Sequence, residues 1–142
     1  MARDSKLDHL SQVRLFSAFN KKELSLIGRA SDEVSVPAGK TLVTEGTPGH
    51  EFFLILHGEA SVRRNGRKVA TLKDGQYFGE LALLDRRPRS ATVVSDTEMN
   101  LLVLGQRQFN GVLDAVPALS RKMLAAMATR LREADEKAMS SI

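Results

Sequence analysis

Apolar residues recur at helical spacing at both ends of the chain and at strand-like spacing in between. In "LDHLSQVRLF" Leu7, Leu10 and Val13 lie three apart, and in "NKKELSLIGRAS" Leu24 and Ile27 do the same. Such spacing lines one face of a helix, so two short helices are expected. Asn20 stands where a cap would sit, with Glu23 three residues later, the signature of a reciprocal capping box. From Val34 to Leu104 the pattern shortens to strand-length runs cut by "PAG" at 37–39, "GTPG" at 46–49, "HG" at 57–58, "NG" at 65–66 and "DG" at 74–75. Short strands separated by turn residues predict an all-β unit, a sandwich, jelly roll or barrel. Its clearest hairpin is "ASVRRNGRKVATL", where Asn65-Gly66 supplies the two positive φ angles of a type I′ turn. After Leu104 helical spacing returns. "QRQFNGVLDAV" reads as a short helix, and Pro117 is placed to open a second, because its missing N–H costs nothing in a first turn. That last helix carries Leu124, Leu131 and Ala138 seven apart, with Met127 and Ala134 interleaved. The seam is heptad-like, and it either packs on its own chain or pairs with the same helix of a second subunit.

The expected organisation is one domain over 1–142: helices over 1–32, a β-roll over 33–105 and C-terminal helices over 106–140. The fold class is α+β, mainly β with flanking helices. Composition agrees, since 142 residues with 42% hydrophobic and 27% charged content suit one compact core. The chain has no cysteine, which removes disulfides, thiolate metal sites and cysteine nucleophiles. "MARDSKLDHL" is charged from its third residue and no apolar run approaches ~18 residues, so neither a signal peptide nor a membrane span is expected and the location is read as cytoplasmic. The net charge of +4 is ordinary for a soluble domain and only weakly favours anionic partners. Arg63, Arg64, Arg67 and Lys68 sit at the hairpin tip, where a solvated edge is the simpler reading and weak nucleic-acid binding the alternative.

Chemistry concentrates in "FGELALLDRRPRSATV". Gly79 leaves room for another group to approach the backbone, and "ELALL" can form a helical turn whose free N–H groups suit an anion. Arg89 offers a planar fork of donors for phosphate oxygens, and Ser90 adds a hydroxyl. Beside a phosphate the Glu80 carboxylate is repulsive unless a neutral donor such as a sugar hydroxyl bonds it. Together these residues describe a pocket for a phosphate joined to a sugar. On spacing alone, a surface ion pair between Glu80 and Arg89 is the simpler account.

The same stretch is similar to the phosphate-binding cassette of the cyclic nucleotide-binding domain, here residues 78–92. The resemblance extends to "AGKTLVTEGTPGHEFFLILHGEASV", like the family's early strands, and to "LLVLGQRQFNGVLDAVPALSRKMLAAMATRLRE", like its last strand and closing helices. It implies a regulatory sensor that binds cAMP, or cGMP, and repositions its C-terminal helix. By the same resemblance Glu80 would accept a ribose hydroxyl and Arg89 would pair with the cyclic phosphate. Backbone N–H groups around Gly79, Leu81 and Ala82 would complete the cradle, with Ser90 bonding the phosphate or bearing on the base. Arg130 would link to Glu80. Ala134 and Asp135 stand where the bacterial transcriptional branch presents a threonine and a serine to adenine, so base recognition is not carried over. The chain ends at Ile142, where that branch continues into a helix-turn-helix, so DNA binding by this chain alone is not expected.

Catalysis is not expected. The β-roll resembles that of metal-binding cupin enzymes, but His9, His50 and His57 form no H-x-H pair, and no serine lies in a G-x-S-x-G setting. No cofactor or metal is implied. The implied partners are a cyclic mononucleotide, a second copy through the C-terminal helix and an unidentified downstream protein. The competing reading is a dimerising interaction module of this fold that has lost its nucleotide.

Overall fold

A computed structural model describes residues 2–140, with side chains described from 6 to 139. Two helices, α1 (Ala2–Ser11) and α2 (Lys21–Ala30), precede eight strands: β1 (Asp32–Val36), β2 (Thr41–Val43), β3 (Glu51–His57), β4 (Ala60–Arg64), β5 (Arg67–Leu72), β6 (Tyr77–Phe78), β7 (Thr92–Ser95) and β8 (Met99–Gly105). Helices α3 (Gln106–Ala115) and α4 (Ala118–Ser140) close the chain. The strands form two antiparallel four-stranded sheets, ordered β1-β8-β3-β6 and β2-β7-β4-β5. This is the expected α+β fold, a β-roll with flanking helices.

Burial on both faces explains the most apolar strands. In β3, Phe53 and Ile55 point between the sheets with Val36, Ala60, Val93, Met99 and Leu101, while Phe52 and Leu54 point the other way into a second cluster. That second cluster holds Leu10, Phe16, Ile27, Leu102, Leu104, Phe109 and Leu119, so the helices cover the outer face of the β3–β8 sheet. A strand covered on both faces reads as a continuous apolar run, as "FFLIL" does. Asn65 and Gly66 have φ of 54° and 78°, the values a type I′ turn requires.

Helix α1 stops at Ser11 rather than running through "VRLF". The Ser11 hydroxyl donates to Asp8 O at 2.6 Å, competing with the helical ladder. The chain then tightens into a 3-10 turn over Arg14–Phe16, which drives Leu15 and Phe16 into the core. At α2 the capping box forms: Asn20 Oδ1 accepts from Glu23 N at 2.9 Å, and Glu23 Oε1 accepts from Asn20 N at 2.8 Å. Among the described residues no helix is long and apolar enough to cross a membrane.

Candidate functional site

The site is built where β6 leaves its sheet. Gly79 has φ of 80°, a left-handed conformation that turns the chain directly into a 3-10 turn over Glu80–Leu83. Leu83 fastens this turn by burying its side chain in the helix-facing core. Leu81, 59% exposed, points outward. Within the turn the Ala82 N–H donates to Gly79 O at 3.1 Å, so it is already engaged; the N–H groups of Glu80 and Leu81 precede that first bond and take no part in it.

Arg89 reaches the same place from the far side of the loop. Its backbone is stitched to the "GTPG" turn: Gly46 N–H donates to Arg89 O and Arg89 N–H donates to Thr47 O, each at 2.8 Å, with Pro48 opposite Pro88. Its guanidinium donates from Nη2 to Glu51 O at 2.9 Å and lies 5.9 Å from the centroid of Phe53. Two glycines admit it. A Cβ on Gly79 would fall 2.6 Å from Arg89 Nη1 and 2.8 Å from Glu51 O, and a Cβ on buried Gly49 would collide with the guanidinium itself. Burial pulls the Arg89 pKa below that of a solvated arginine, and the Glu51 charge opposes the shift. A partly desolvated guanidinium remains charged and gains strongly from an anion placed against its open donors.

Gly79, Glu80, Leu81, Ala82, Arg89 and Ser90 all line one cleft of about 410 Å³, with Asp85, Arg87 and Pro88. That volume falls within the ~300–1,000 Å³ of small-ligand sites. Glu80 and Arg89 share its wall, yet no ion pair joins them among the described residues, which removes the simplest alternative account of their spacing. Ser90 is exposed, and its carbonyl accepts from Arg64 Nε at 3.1 Å, tying the basic hairpin to the end of the cassette. Among the described residues no group of histidines and carboxylates could hold a metal ion.

The expected contacts from α4 are not assembled in this arrangement. Arg130 lines a separate groove with Ser17, Ala18, Ala125, Ala126, Thr129 and Glu133, and makes no ion pair with Glu80. Ala134 and Asp135 lie exposed further along the helix. The start of α4 is anchored by buried Leu119 and Met123 and by Lys122 Nζ, which meets the Glu23 carboxylate at 2.7 and 2.9 Å. Three contributors escape the sequence pattern. Gly49 is legible as a turn glycine but not as the floor beneath Arg89. Glu51 acts through a carbonyl that every residue possesses. Gln106, which bonds the cassette from α3, stands in no motif at all.

The family described as the cyclic nucleotide-binding domain matches residues 33–115. Over 115 residues, 80% of the chain, the sequence is 40% identical to a cAMP-dependent protein kinase regulatory subunit from Aspergillus niger, and it spans 28% of that relative's length. Among solved structures, the N-terminal domain of a transcriptional regulator from Streptomyces coelicolor aligns with a TM-score of 0.83 and 31% identity, covering 92% of this chain and 94% of that one. The regulatory domain of Toxoplasma gondii PKA, crystallised with cAMP, aligns with a TM-score of 0.70 and 32% identity, covering 78% of this chain and 44% of that one. Fold, cleft and comparisons agree that the chain belongs to the cyclic nucleotide-binding domain family.

Proposed function

We propose that this chain is a regulatory sensor that binds a cyclic mononucleotide, cAMP in the first instance, and repositions α4 in response. The observation that carries the reading is Arg89, held in a glycine-floored slot with its backbone stapled at both ends and its guanidinium at the edge of the cleft. Such an arginine is preorganised for a phosphate, because little of its rotamer entropy remains to be lost on binding. Arg89 pairs with the exocyclic phosphate oxygens, Glu80 accepts from the ribose hydroxyl and the N–H groups near Gly79 and Leu81 complete the cradle. Ala82 contributes only by sharing its N–H. The choice of cAMP follows the relatives, one a cAMP-dependent kinase regulatory subunit and one crystallised with cAMP.

In the response, α4 swings so that Arg130, Ala134 and Asp135 approach the cleft. The ligand shifts the helix only by its difference in affinity for the two positions. The apolar seam on α4 pairs with a second copy of the chain.

Calorimetric titration with cAMP and cGMP tests the binding. The parent is expected to bind, and Arg89→Ala to lose a charge-assisted pair worth ~1.5–3 kcal/mol, roughly ten- to a hundredfold in affinity. Equal affinity in parent and variant would defeat the assignment. No heat with either nucleotide would favour an interaction module that has lost its ligand.

A further inference from the structure

Gln106 stands at a junction between the cassette, α3 and the segment entering β3. It is the first residue of α3, and three segments converge on it. Its Nε2 donates to Ala82 O in the cassette turn at 3.3 Å, its Oε1 accepts from Arg86 Nε in the cassette loop at 3.2 Å, and its backbone N–H donates to His50 O at 2.8 Å. Both ends of one amide are thus engaged with the cassette, while the main chain of the same residue is fixed to the segment entering β3. The residue is half-buried, and the bond to Ala82 O is the more sheltered of the two, while the bond to Arg86 lies at the surface.

We infer that Gln106 is a positioning residue, the polar joint through which α3, and with it α4, follows the cassette turn. The inference rests on the proposed nucleotide binding and adds a route by which binding is transmitted. Of the two side-chain bonds, the one to Arg86 at 3.2 Å lies at the long limit of the ~2.7–3.2 Å range for N–H···O bonds and the one to Ala82 O at 3.3 Å just beyond it. A displacement of the turn by a few tenths of an ångström either breaks them or carries α3 along. Leu83 and Phe109 share the helix-facing core cluster, and their apolar burial has no directional requirement of this kind. Gln106 does not line the cleft, and its side chain bonds Arg86 and Ala82 O rather than Arg89 or Glu80, so its loss separates transmission from binding.

Since the sequence has no cysteine, Val69→Cys on β5 and Glu136→Cys on α4 give two unique spin-label sites. With labelled chain diluted into unlabelled chain, electron paramagnetic resonance reads the intramolecular distance with and without cAMP. Gln106→Met keeps the side chain's volume and removes both bonds. The expected result is cAMP affinity within about tenfold of the parent, inside the ~5–150-fold span of typical couplings, with the ligand-induced distance change at least halved. Gln106→Glu keeps the acceptor for Arg86 but places a carboxylate against Ala82 O, and is expected to uncouple similarly. A full distance change in Gln106→Met overturns the inference. So does a loss of affinity beyond about a hundredfold, which would make Gln106 part of the binding cradle.

Amide hydrogen exchange without nucleotide keeps the joint distinct from the binding reading. Gln106→Met is expected to speed exchange in both 80–86 and 106–109, and an effect confined to 106–109 overturns the joint. A parent that binds no cyclic nucleotide sinks the binding reading alone, and the exchange result then decides whether the joint exists.

Discussion

Arg89 is where residue-level chemistry is most legible and least complete. The fork of donors, the permissive Gly79 and the discriminating Glu80 can all be read from residue types. The slot that holds the arginine cannot, because Gly49, Glu51 O and Phe53 come from segments nearly forty residues earlier and meet it only in the folded chain. Gly79 shows the difference. Its positive φ is a local need, but its missing Cβ is a tertiary one, since that atom would stand 2.6 Å from Arg89 Nη1. Gly79→Ala therefore combines backbone strain of about 1–3 kcal/mol with displacement of the guanidinium. Thermal unfolding is expected to drop by several degrees, with weaker cAMP binding in calorimetry. An unchanged midpoint together with unchanged affinity would show that the slot is looser than its geometry implies.

Among the elements, α2 was legible down to its cap, whereas the end of α1 was not. Asn20 and Glu23 announce a start in four residues, while Leu7, Leu10 and Val13 keep helical spacing past the point where Ser11 and the need to bury Phe16 turn the chain. Glu23 also serves a second helix, which local pattern cannot reveal. The Lys122 ammonium on α4 holds its carboxyl below the usual carboxylate range, helped by the Asn20 N–H and opposed by burial. A lowered folded-state pKa means stabilisation that is fully present above the unfolded value of ~4.3 and fades as pH falls through the folded one. Gln at position 23 retains the acceptor for Asn20 and discards the charge. Glu23→Gln is therefore expected to be less stable than the parent at pH 7, with the gap narrowing below about pH 4. Urea titrations at pH 7 and pH 3 measure it, and a gap independent of pH would exclude the ion pair as its source.

At the scale of the molecule, the change of period from helix to strand and back was enough for an all-β unit between helices, and the family resemblance narrowed it to the β-roll; β3, buried on both faces, and β1, exposed except at Val36, show why strand periodicity alone could not. The placement of α4 was not, since an apolar stripe does not name what covers it. Here Leu124 and Leu131 are 66% and 65% exposed, and Met127 lies on the same open face. A second copy is the proposed cover, so sedimentation is expected to show a concentration-dependent dimer, and Leu124→Glu with Leu131→Glu to leave a monomer of unchanged fold. A parent that stays monomeric at high concentration would leave the seam to the chain's own cleft. The staple between the "GTPG" turn and Arg89 has a further meaning for protein engineering. Arg89 is fastened to Gly46 and Thr47, and the cassette turn is separately plugged by Leu83, so the exposed link at Arg87 lies between two anchors that are fixed independently of it. A reporter domain inserted between Arg87 and Pro88 would sit at the rim of the cleft without setting the position of either anchor, so the fold supplies a ready insertion point for a biosensor.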